Sequence, residues 1–196
     1  MFQVRFHGRG GQGVVTAAEL LAVAAFREGR HAQAFPSFGS ERTGAPVVSY
    51  CRIDDREIRT REPISAPDAV VIQDVTLIHQ VDLFGGLAAA GYVLINTSRT
   101  FAELGLGELA ARCQPDHLST CPATELALEH VGRPVPNAAL LGGLAALTDQ
   151  VPLHAIGDAL RDRFGPIVGE RNLAAAAAAF EHVRAQREVV AGATAD

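Results

Sequence analysis

The stretch RFHGRGGQGVV, from Arg5 to Val15, decides the fold class because it places four glycines in six consecutive positions. Glycine loses more conformational freedom on folding than any other residue, so a loop this bare is costly and needs a reason. Residues 2–6 before it alternate apolar and polar side chains as a strand does, and residues 16–27 after it predict a deeply packed helix. The order of strand, glycine loop and helix predicts the opening unit of an α/β domain.

The glycines follow a pattern that is known from nucleotide-binding loops. Gly8, Gly10 and Gly13 match G-x-G-x-x-G, and Gly11 adds a fourth glycine beside Gln12. Such a loop allows a phosphate group to approach the backbone, and the N–H groups that open the following helix favour negative charge. The same glycines would also serve a tight turn and close packing of the helix on the strand. The pattern alone leaves both interpretations open.

A nicotinamide site needs a further residue that this sequence lacks. A carboxylate should follow about 20 residues after the glycines, at the end of the second strand, where it binds the ribose. That strand is predicted over residues 30–35, and Glu41 comes too late and lies in a loop. No lysine follows the glycines as a phosphate-binding P-loop requires. A free-standing NAD(P)-binding Rossmann oxidoreductase is therefore the weaker alternative.

The rest of the chain alternates short apolar runs with helical periodicity, which is typical of a parallel sheet covered by helices. Further strands are predicted at residues 30–35, 68–73, 92–95 and 118–121, and helices at residues 76–84, 123–130, 138–148, 154–164 and 170–186. Residues 47–53 and 57–59 flank an Asp-Asp pair, which predicts an antiparallel hairpin insertion. We expect a single Rossmann-like α/β domain over residues 1–185, with a mostly parallel sheet and helices on both faces. A flexible C-terminal tail is expected over residues 186–196.

Composition narrows the classes of protein that the chain can be. Hydrophobic residues make up 48% of the 196 residues, enough for a sizeable core, and the formal net charge is −5. An acidic chain has no general electrostatic reason to bind nucleic acid or an anionic membrane. No apolar run approaches the roughly 18 residues of a membrane helix, and the N-terminal MFQVRF predicts a strand rather than a signal peptide. We expect a cytoplasmic protein without nucleic-acid or membrane partners.

Several polar residues are candidates for a site, and each has two interpretations. Glu41 and Arg42, in a long irregular loop predicted over residues 36–46, could contact a ligand or a partner subunit, or form a solvated ion pair. His7, before the glycines, could act in catalysis or be a hydrogen-bonded structural residue. Asp74 and Asn96 follow central strands, where open α/β sheets bind ligands, yet each could equally cap the next helix.

Groups that most enzymes need are missing from the sequence. The three cysteines, Cys51, Cys113 and Cys121, form no C-x-x-C pair, which argues against an iron–sulfur cluster held by this chain. We find no convincing nucleophile–base pair, metal-ligand cluster or thiamine diphosphate motif, and Asn137 is predicted to cap a helix. A phosphate-ready loop without catalytic residues predicts a subunit whose active site lies elsewhere.

Six blocks of the sequence occur in a familiar order. They are FHGRGGQGVVTAAELLA, AQAFPSFGSERTGAPV, RIDDREIR, PDAVVIQD, CPATELA and GRPVPNAALLGGLAALT. In this order they resemble the gamma subunits of 2-oxoacid:acceptor oxidoreductases, of which pyruvate:ferredoxin oxidoreductase is the best-known type. The resemblance spans Met1 to Phe180, nearly the whole chain, and is therefore far more specific than the glycine motif alone.

The resemblance implies a subunit of a larger enzyme rather than an enzyme that is active alone. Such complexes oxidatively decarboxylate a 2-oxoacid, join the acyl group to coenzyme A and pass electrons to ferredoxin or NAD. Thiamine diphosphate lies between their alpha and beta subunits, [4Fe-4S] clusters lie in beta- and delta-type subunits, and a flavoprotein subunit can be added. The gamma subunit holds none of these cofactors and is associated with access of coenzyme A.

The chemistry of the glycine loop and the match of the six blocks together predict which residues line a coenzyme A site or lie near it. They are Gly8, Gly10, Gly11, Gln12, Gly13, Glu41 and Arg42. Many relatives have a proline before the Glu-Arg pair and a second arginine after it, whereas this chain has Ser40 and Thr43, so its loop has one positive charge fewer. A purely structural interaction subunit, with glycines that serve packing alone, is a third interpretation.

The 2-oxoacid itself is left open by the sequence. Pyruvate, 2-oxoglutarate, branched-chain, indolyl and aryl 2-oxoacids such as phenylglyoxylate are all substrates that the resemblance allows. Specificity should reside mainly in the thiamine-bearing subunits, so this chain does not decide among them.

Overall fold

Six strands build one mixed sheet in the computed structural model, which describes residues 1–37 and 43–193. The strands are β1 (Phe2–Arg9), β2 (His31–Pro36), β3 (Pro46–Asp54), β4 (Ala69–Ile72), β5 (Tyr92–Asn96) and β6 (Leu118–Cys121). Their order across the sheet is β2–β3–β1–β4–β5–β6. β1, β4, β5 and β6 are parallel to one another, whereas β3 is antiparallel to both β1 and β2. The predicted α/β class with a mostly parallel sheet is thus confirmed.

The antiparallel hairpin is formed by β2 and β3, which places it earlier in the chain than the sequence pattern suggested. β3 has β2 on one edge and β1 on the other, with Cys51 opposite Ala34 and Ile53 opposite Phe2. Because both edges of β3 are already paired, residues 57–59 have no neighbour in the sheet, and they form no strand. The strand predicted there is wrong because pairing between distant segments outweighs a local pattern.

Four helices cover one face of the sheet and form the larger core. They are α1 (Val14–Arg27), α3 (Ala123–Val131), α4 (Asn137–Thr148) and α5 (Leu153–Ala193). Every residue of α4 is buried, so this helix is apolar on all sides and lies between the sheet and its neighbouring helices. Gly142 allows the closest approach, since a Cβ there would lie 1.9 Å from the carbonyl oxygen of Ala176 in α5.

Shorter elements cover the opposite face of β4 and β5. A 3₁₀ helix (Val75–His79), α2 (Gly107–Arg112) and their connecting segments pack on the apolar side chains of these strands. The helix predicted over residues 76–84 is therefore mostly wrong. The Asp82 carboxylate accepts a hydrogen bond from the N–H of Gly85, which forms a turn where the helix was expected. α2 was not predicted because one and a half turns are too short for helical periodicity to appear.

α5 joins the last two predicted helices across a break. Gly165 has φ 75° and ψ 173°, a conformation that is essentially restricted to glycine, and a proline follows it. The second half continues to Ala193, beyond the predicted end of the helix. Arg187 fixes these last turns through an ion pair of 3.0 Å between its Nη1 and Asp149 Oδ2. The domain boundary at residue 185 and the flexibility of the tail stay predictions. None of the described helices is long and apolar enough to cross a membrane.

Candidate functional site

The glycine loop connects the carboxyl end of β1 to the start of α1. Gly11 and Gly13 have φ values of 95° and 74°, the left-handed region that favours glycine. Gly13 is the N-cap residue of α1, and its carbonyl oxygen accepts a hydrogen bond of 2.9 Å from the N–H of Ala17. No side chain of the described residues caps this first turn. The N–H groups of the first turn of α1 are therefore available to a ligand, and the helix dipole at this end favours an anion.

A cleft of about 430 Å³ opens beside this loop, and we call it the loop cleft. Its lining residues are Arg9, Gly10, Gly11, Gly13, Val14, Val15, Thr16, Thr43 and Val47. Three of the predicted contact residues, Gly10, Gly11 and Gly13, thus come together here. A Cβ at Gly11 would meet no atom within 4 Å, so its backbone faces open space and not a packed neighbour. Close approach of a ligand to the backbone requires such a surface.

Gly8 and Gln12, also predicted to contact a ligand, lie outside the loop cleft. A Cβ at Gly8 would lie 2.6 Å from Val14 Cγ2 and 3.0 Å from Gln12 Oε1, so this glycine serves packing. The Gln12 side chain accepts a hydrogen bond from the N–H of Arg9 and donates one to Asp74 Oδ2, both at 2.8 Å. Gln12 therefore fastens the loop to the segment that follows β4.

Arg9 is the centre of a second set of contacts, which we call the Arg9 network. Its guanidinium lies 3.2 Å from the Asp74 carboxylate and donates hydrogen bonds to Thr76 Oγ1 at 2.8 Å and Gln80 Oε1 at 2.9 Å. It also donates to the carbonyl oxygen of Gly44 at 3.0 Å. This role of Arg9 was not predicted from the sequence, although an arginine inside a glycine loop is itself a signal. Because these partners engage the guanidinium, its charge is largely satisfied within the chain.

Asp74 is ionised in this network. Partial burial acts to raise the pKa of its carboxyl, but hydrogen bonds from Thr76 and Gln12 and the positive charge of Arg9 outweigh burial and hold the pKa below its usual value. The Thr76 N–H donates to Asp74 Oδ1 at 3.0 Å, so Asp74 also caps the 3₁₀ helix. The capping interpretation of this residue is confirmed.

Glu41 and Arg42, the other two predicted contact residues, lie outside the described residues. The structure does describe Thr43, which forms a parallel β-bridge with Gly10. Gly10 donates to the carbonyl oxygen of Ala45 at 2.9 Å and accepts from the N–H of Gly44 at 3.1 Å. The segment that follows Arg42 is thereby held against the glycine loop.

His7 lines neither the loop cleft nor the second cleft described below. Its side chain is only 5% exposed, and its Nε2 has no hydrogen-bond partner among the described residues. Burial, assisted by the nearby positive charge of Arg5, lowers the pKa of His7 to about 4. The imidazole is therefore neutral at physiological pH. Its burial away from both clefts favours the structural interpretation over the catalytic one, although the predicted hydrogen bond is not formed at Nε2.

A second cleft, of about 300 Å³, lies at the carboxyl ends of β4 and β5, and we call it the strand-end cleft. Its lining residues are Gln12, Gln73, Asp74, Val75, Asn96, Thr97, Ser98, Thr124 and Glu125. Asn96 Nδ2 donates to the Gln73 carbonyl oxygen and to Thr124 Oγ1, both at 2.8 Å, and Asn96 Oδ1 accepts from the N–H of Thr124 at 3.1 Å. Asn96 thus ties β4 and β5 to the start of α3. It is not the flanking cap residue of a helix, because the N-cap of α2 is Leu106 and that of α3 is Pro122.

Asn137 contacts the glycine loop, which the sequence did not predict. The predicted cap is wrong by one residue, because Pro136 is the N-cap of α4 and Asn137 is the first residue of the helix. Asn137 is 4% exposed, and its Oδ1 accepts a hydrogen bond from the N–H of Ala138. Its Nδ2 would lie 2.7 Å from a Cβ at Gly13. Gly13 must therefore be glycine for two reasons, its backbone angles and this neighbour.

The described residues do not suit a metal cluster. Among residues 1–37 and 43–193, no three or more His, Cys, Asp or Glu side chains lie together as metal ligands. Cys51, Cys113 and Cys121 are buried free thiols. Burial raises the pKa of Cys121 to about 12, and it raises that of Cys51 further, whereas a cluster ligand must be a thiolate.

Comparison with known proteins places the chain in a family. The family model for pyruvate ferredoxin/flavodoxin oxidoreductase matches residues 3–182. A relative from Thermococcus kodakarensis, the pyruvate/ketoisovalerate oxidoreductases common subunit gamma, is 46% identical over 180 residues, which cover 92% of this chain and 96% of the relative. The crystal structure of the pyruvate oxidoreductase subunit PORC from Thermotoga maritima superimposes with a TM-score of 0.77 at 34% identity, covering 92% and 95% of the two chains.

A more distant structure shares the fold. The 2-oxoglutarate:ferredoxin oxidoreductase of Magnetococcus marinus, solved with 2-oxoglutarate, coenzyme A and succinyl-CoA bound, is 17% identical with a TM-score of 0.66. The match covers 96% of this chain but 31% of that longer chain. The match of the family model over residues 3–182 and the 46% identity of the T. kodakarensis relative confirm the predicted kinship with the gamma subunits of 2-oxoacid oxidoreductases. The chain belongs to the pyruvate ferredoxin/flavodoxin oxidoreductase family.

Proposed function

We propose that this chain is the gamma subunit of a complex that oxidatively decarboxylates a 2-oxoacid, forms an acyl-CoA and passes the electrons to ferredoxin or NAD. Its own task is to shape the site for coenzyme A. The observation that carries this proposal is the loop cleft, a bare backbone surface at an uncapped helix start in a chain of this family.

The chemistry of the loop cleft suits a diphosphate. The N–H groups of the first turn of α1 and the backbone of Gly10, Gly11 and Gly13 can approach an anion without obstruction by side chains. Thr16 adds a hydroxyl-bearing side chain to the lining. A helix of 14 residues supplies a full dipole at this end. The diphosphate of coenzyme A is the group that we assign to this cleft.

Gln12, Glu41 and Arg42 complete the proposed contact set in different ways. Gln12 positions the loop through Arg9 and Asp74, so its contribution is to hold the backbone in shape. Glu41 and Arg42 precede Thr43, whose bridge to Gly10 brings the chain to the edge of the cleft. Asn137 supports the same loop through its position against Gly13.

The catalytic cofactors belong to partner subunits in this proposal. Thiamine diphosphate would supply the carbon–carbon bond cleavage there, and iron–sulfur clusters the electron transfer. The alpha, beta and delta-type subunits, with a flavoprotein subunit where NAD is the acceptor, are the proposed partners. The T. kodakarensis relative is named as common to pyruvate and ketoisovalerate oxidoreductases, which favours a substrate choice made outside the gamma subunit.

A valine at Gly11 tests the proposed contact. Because no atom lies within 4 Å of a Cβ at Gly11, the new side chain enters the loop cleft and not the core. We expect the KM for coenzyme A of the assembled complex to rise severalfold, with the KM for the 2-oxoacid little changed. Steady-state kinetics with each substrate varied in turn measures both.

Gly29→Val is the matched control. Gly29 also has positive φ, 77°, and no atom within 4 Å of its Cβ position, but it follows the far end of α1. It carries the same backbone strain without touching the cleft. If both variants leave the KM for coenzyme A unchanged, the glycines serve packing alone and the chain is a purely structural subunit.

A further inference from the structure

Gln73 is the most unusual polar residue outside the loop cleft. It lies directly after β4 and is 1% exposed, yet neither its Nε2 nor its Oε1 has a hydrogen-bond partner among the described residues. Its backbone is fully paired, since the N–H donates to the His7 carbonyl at 2.7 Å and the carbonyl oxygen accepts from Asn96. A buried carboxamide without partners is destabilising, so native proteins keep one where something else completes its hydrogen bonds.

Gln73 is one of the residues that line the strand-end cleft, and its carboxamide is buried beneath the cleft surface. The cleft lies outside the carboxyl ends of β4 and β5, the place where open α/β sheets bind ligands. The other amide side chains in the lining, Gln12 and Asn96, already use both of their polar atoms in hydrogen bonds. Gln73 is thus the amide of this lining that has a donor and an acceptor to offer.

The charge of the strand-end cleft differs from that of the loop cleft. Two carboxylates, Asp74 and Glu125, lie in its lining, and neither arginine nor lysine is among the described lining residues. The Arg9 guanidinium, which lies 3.2 Å from the lining residue Asp74, also donates hydrogen bonds to Thr76 and Gln80 outside the lining. A phosphate would meet repulsion here, whereas an uncharged polar group would not.

We propose that the strand-end cleft binds an uncharged group that presents a hydrogen-bond donor beside an acceptor, and that Gln73 recognises this group through a pair of hydrogen bonds. A nucleobase edge and an amide both have this chemistry, and glutamine pairs with the donor and acceptor of adenine in this way. The proposal goes beyond the proposed function because it concerns a second cleft. It holds whether or not coenzyme A occupies the first.

Two probes, adenosine and pantetheine, distinguish the possible sources of such a group. Each is titrated into the full-length chain, and binding is measured by calorimetry and by the shift in melting temperature. We expect at least one probe to bind, and Gln73→Leu to weaken that binding by about tenfold or more because two hydrogen bonds are lost. Without a probe, Gln73→Leu should melt no lower than the wild type, since it removes two unpaired polar atoms.

Gln33→Leu is the matched control. Gln33 lies in β2, and its Oε1 is also buried without a partner, but it does not line the strand-end cleft. This variant should bind the probes as the wild type does. Ser98→Trp is a second variant that keeps the test decisive if Gln73→Leu folds poorly. Ser98 is an exposed lining residue, so the indole should block the cleft without disturbing the core.

Each outcome has a definite meaning. Binding of adenosine alone identifies a nucleobase site, binding of pantetheine alone identifies an amide site, and mutual competition shows that both use the same hydrogen bonds. The proposal is overturned if neither probe binds, or if binding survives both Gln73→Leu and Ser98→Trp. Gln73 would then be satisfied by solvent only. A change in the KM for coenzyme A in Gly11→Val would stand regardless, so the two proposals can fail separately.

Discussion

Single glycines of the loop are required for different reasons. A side chain at Gly8 would collide with Val14, at Gly11 it would meet only an unfavourable φ, and at Gly13 it would meet both a positive φ and Asn137. The sequence pattern treats these residues as equivalent. For this reason the sequence alone could not separate ligand binding from packing, whereas the neighbours of each Cβ position show which of these glycines packing requires.

His7 makes the stability of the chain sensitive to acid. Its pKa is about 4 in the folded chain, against 6.5 as the ordinary value, so between these pH values the unfolded chain binds a proton that the folded chain does not. The contribution of His7 to the free energy of unfolding is therefore fully present above pH 6.5, and it is lost as the pH falls towards 4. The loss from this residue is about 3 kcal/mol at pH 4.

A leucine at His7 tests this titration. We expect His7→Leu to flatten the dependence of the free energy of unfolding on pH between 6.5 and 4, as measured by urea denaturation at several pH values. His31→Leu, which replaces an exposed histidine on β2, should keep the wild-type slope. An unchanged slope in His7→Leu would show that another group dominates the acid response.

At the scale of elements, the contact between α4 and α5 depends on the absence of a side chain. Gly142→Ala would place a Cβ 1.9 Å from the carbonyl oxygen of Ala176, and α4 is buried on all sides and cannot move away. We expect the free energy of unfolding to fall by about 3 kcal/mol, which is at the upper end of the range for overpacked cores. Thermal or urea denaturation measures it.

Gly192→Ala provides the comparison for this prediction. It also places alanine within a helix, but near the end of α5, where no atom lies within 4 Å of the new Cβ. Only the higher helix propensity of alanine should then act, and it should raise the free energy of unfolding by about 0.5 kcal/mol. Equal effects of the two variants would contradict the close packing of α4 on α5.

The sequence predicted the parallel half of the sheet better than the antiparallel half. β4 and the centre of β5 are buried apolar runs, and burial on both faces leaves a clear local signal. The pairing of β3 with β1 joins residues 37 to 51 positions apart and leaves no local signal. The break at Gly165 was anticipated only as a gap between two helices.

At the scale of the whole molecule, the glycine loop was predictable and its supports were not. Arg9, Gln12 and Asp74 meet across 62 or more positions of sequence, and the contact of Asn137 with Gly13 spans twice that distance. Gln73 gave no signal at all, because an orphaned amide is recognised only when its surroundings are known. Local motifs therefore locate the glycine loop as a candidate site, whereas the strand-end cleft is recognised only once the fold is known.

The proposed division of labour leads to a test with the purified chain. By itself it should reduce no electron acceptor in the presence of a 2-oxoacid and coenzyme A. When the alpha, beta and delta-type subunits are added, the 2-oxoacid should be oxidised. The reduction of ferredoxin or of a viologen dye measures this reaction. The control omits the gamma chain from the mixture. Turnover by the isolated chain would contradict the proposed division.

The Arg9 network has a consequence for how fast the proposed ligand would bind. Arg9 and Gln12 join the glycine loop, Gly44 and Asp74 into one hydrogen-bonded frame before any ligand arrives. The loss of conformational entropy that comes with ordering this backbone thus occurs during folding. Binding of the proposed ligand then requires little rearrangement of the loop. Because the carboxyl pKa of Asp74 is held below its usual value, the frame should keep its shape in mildly acidic solution.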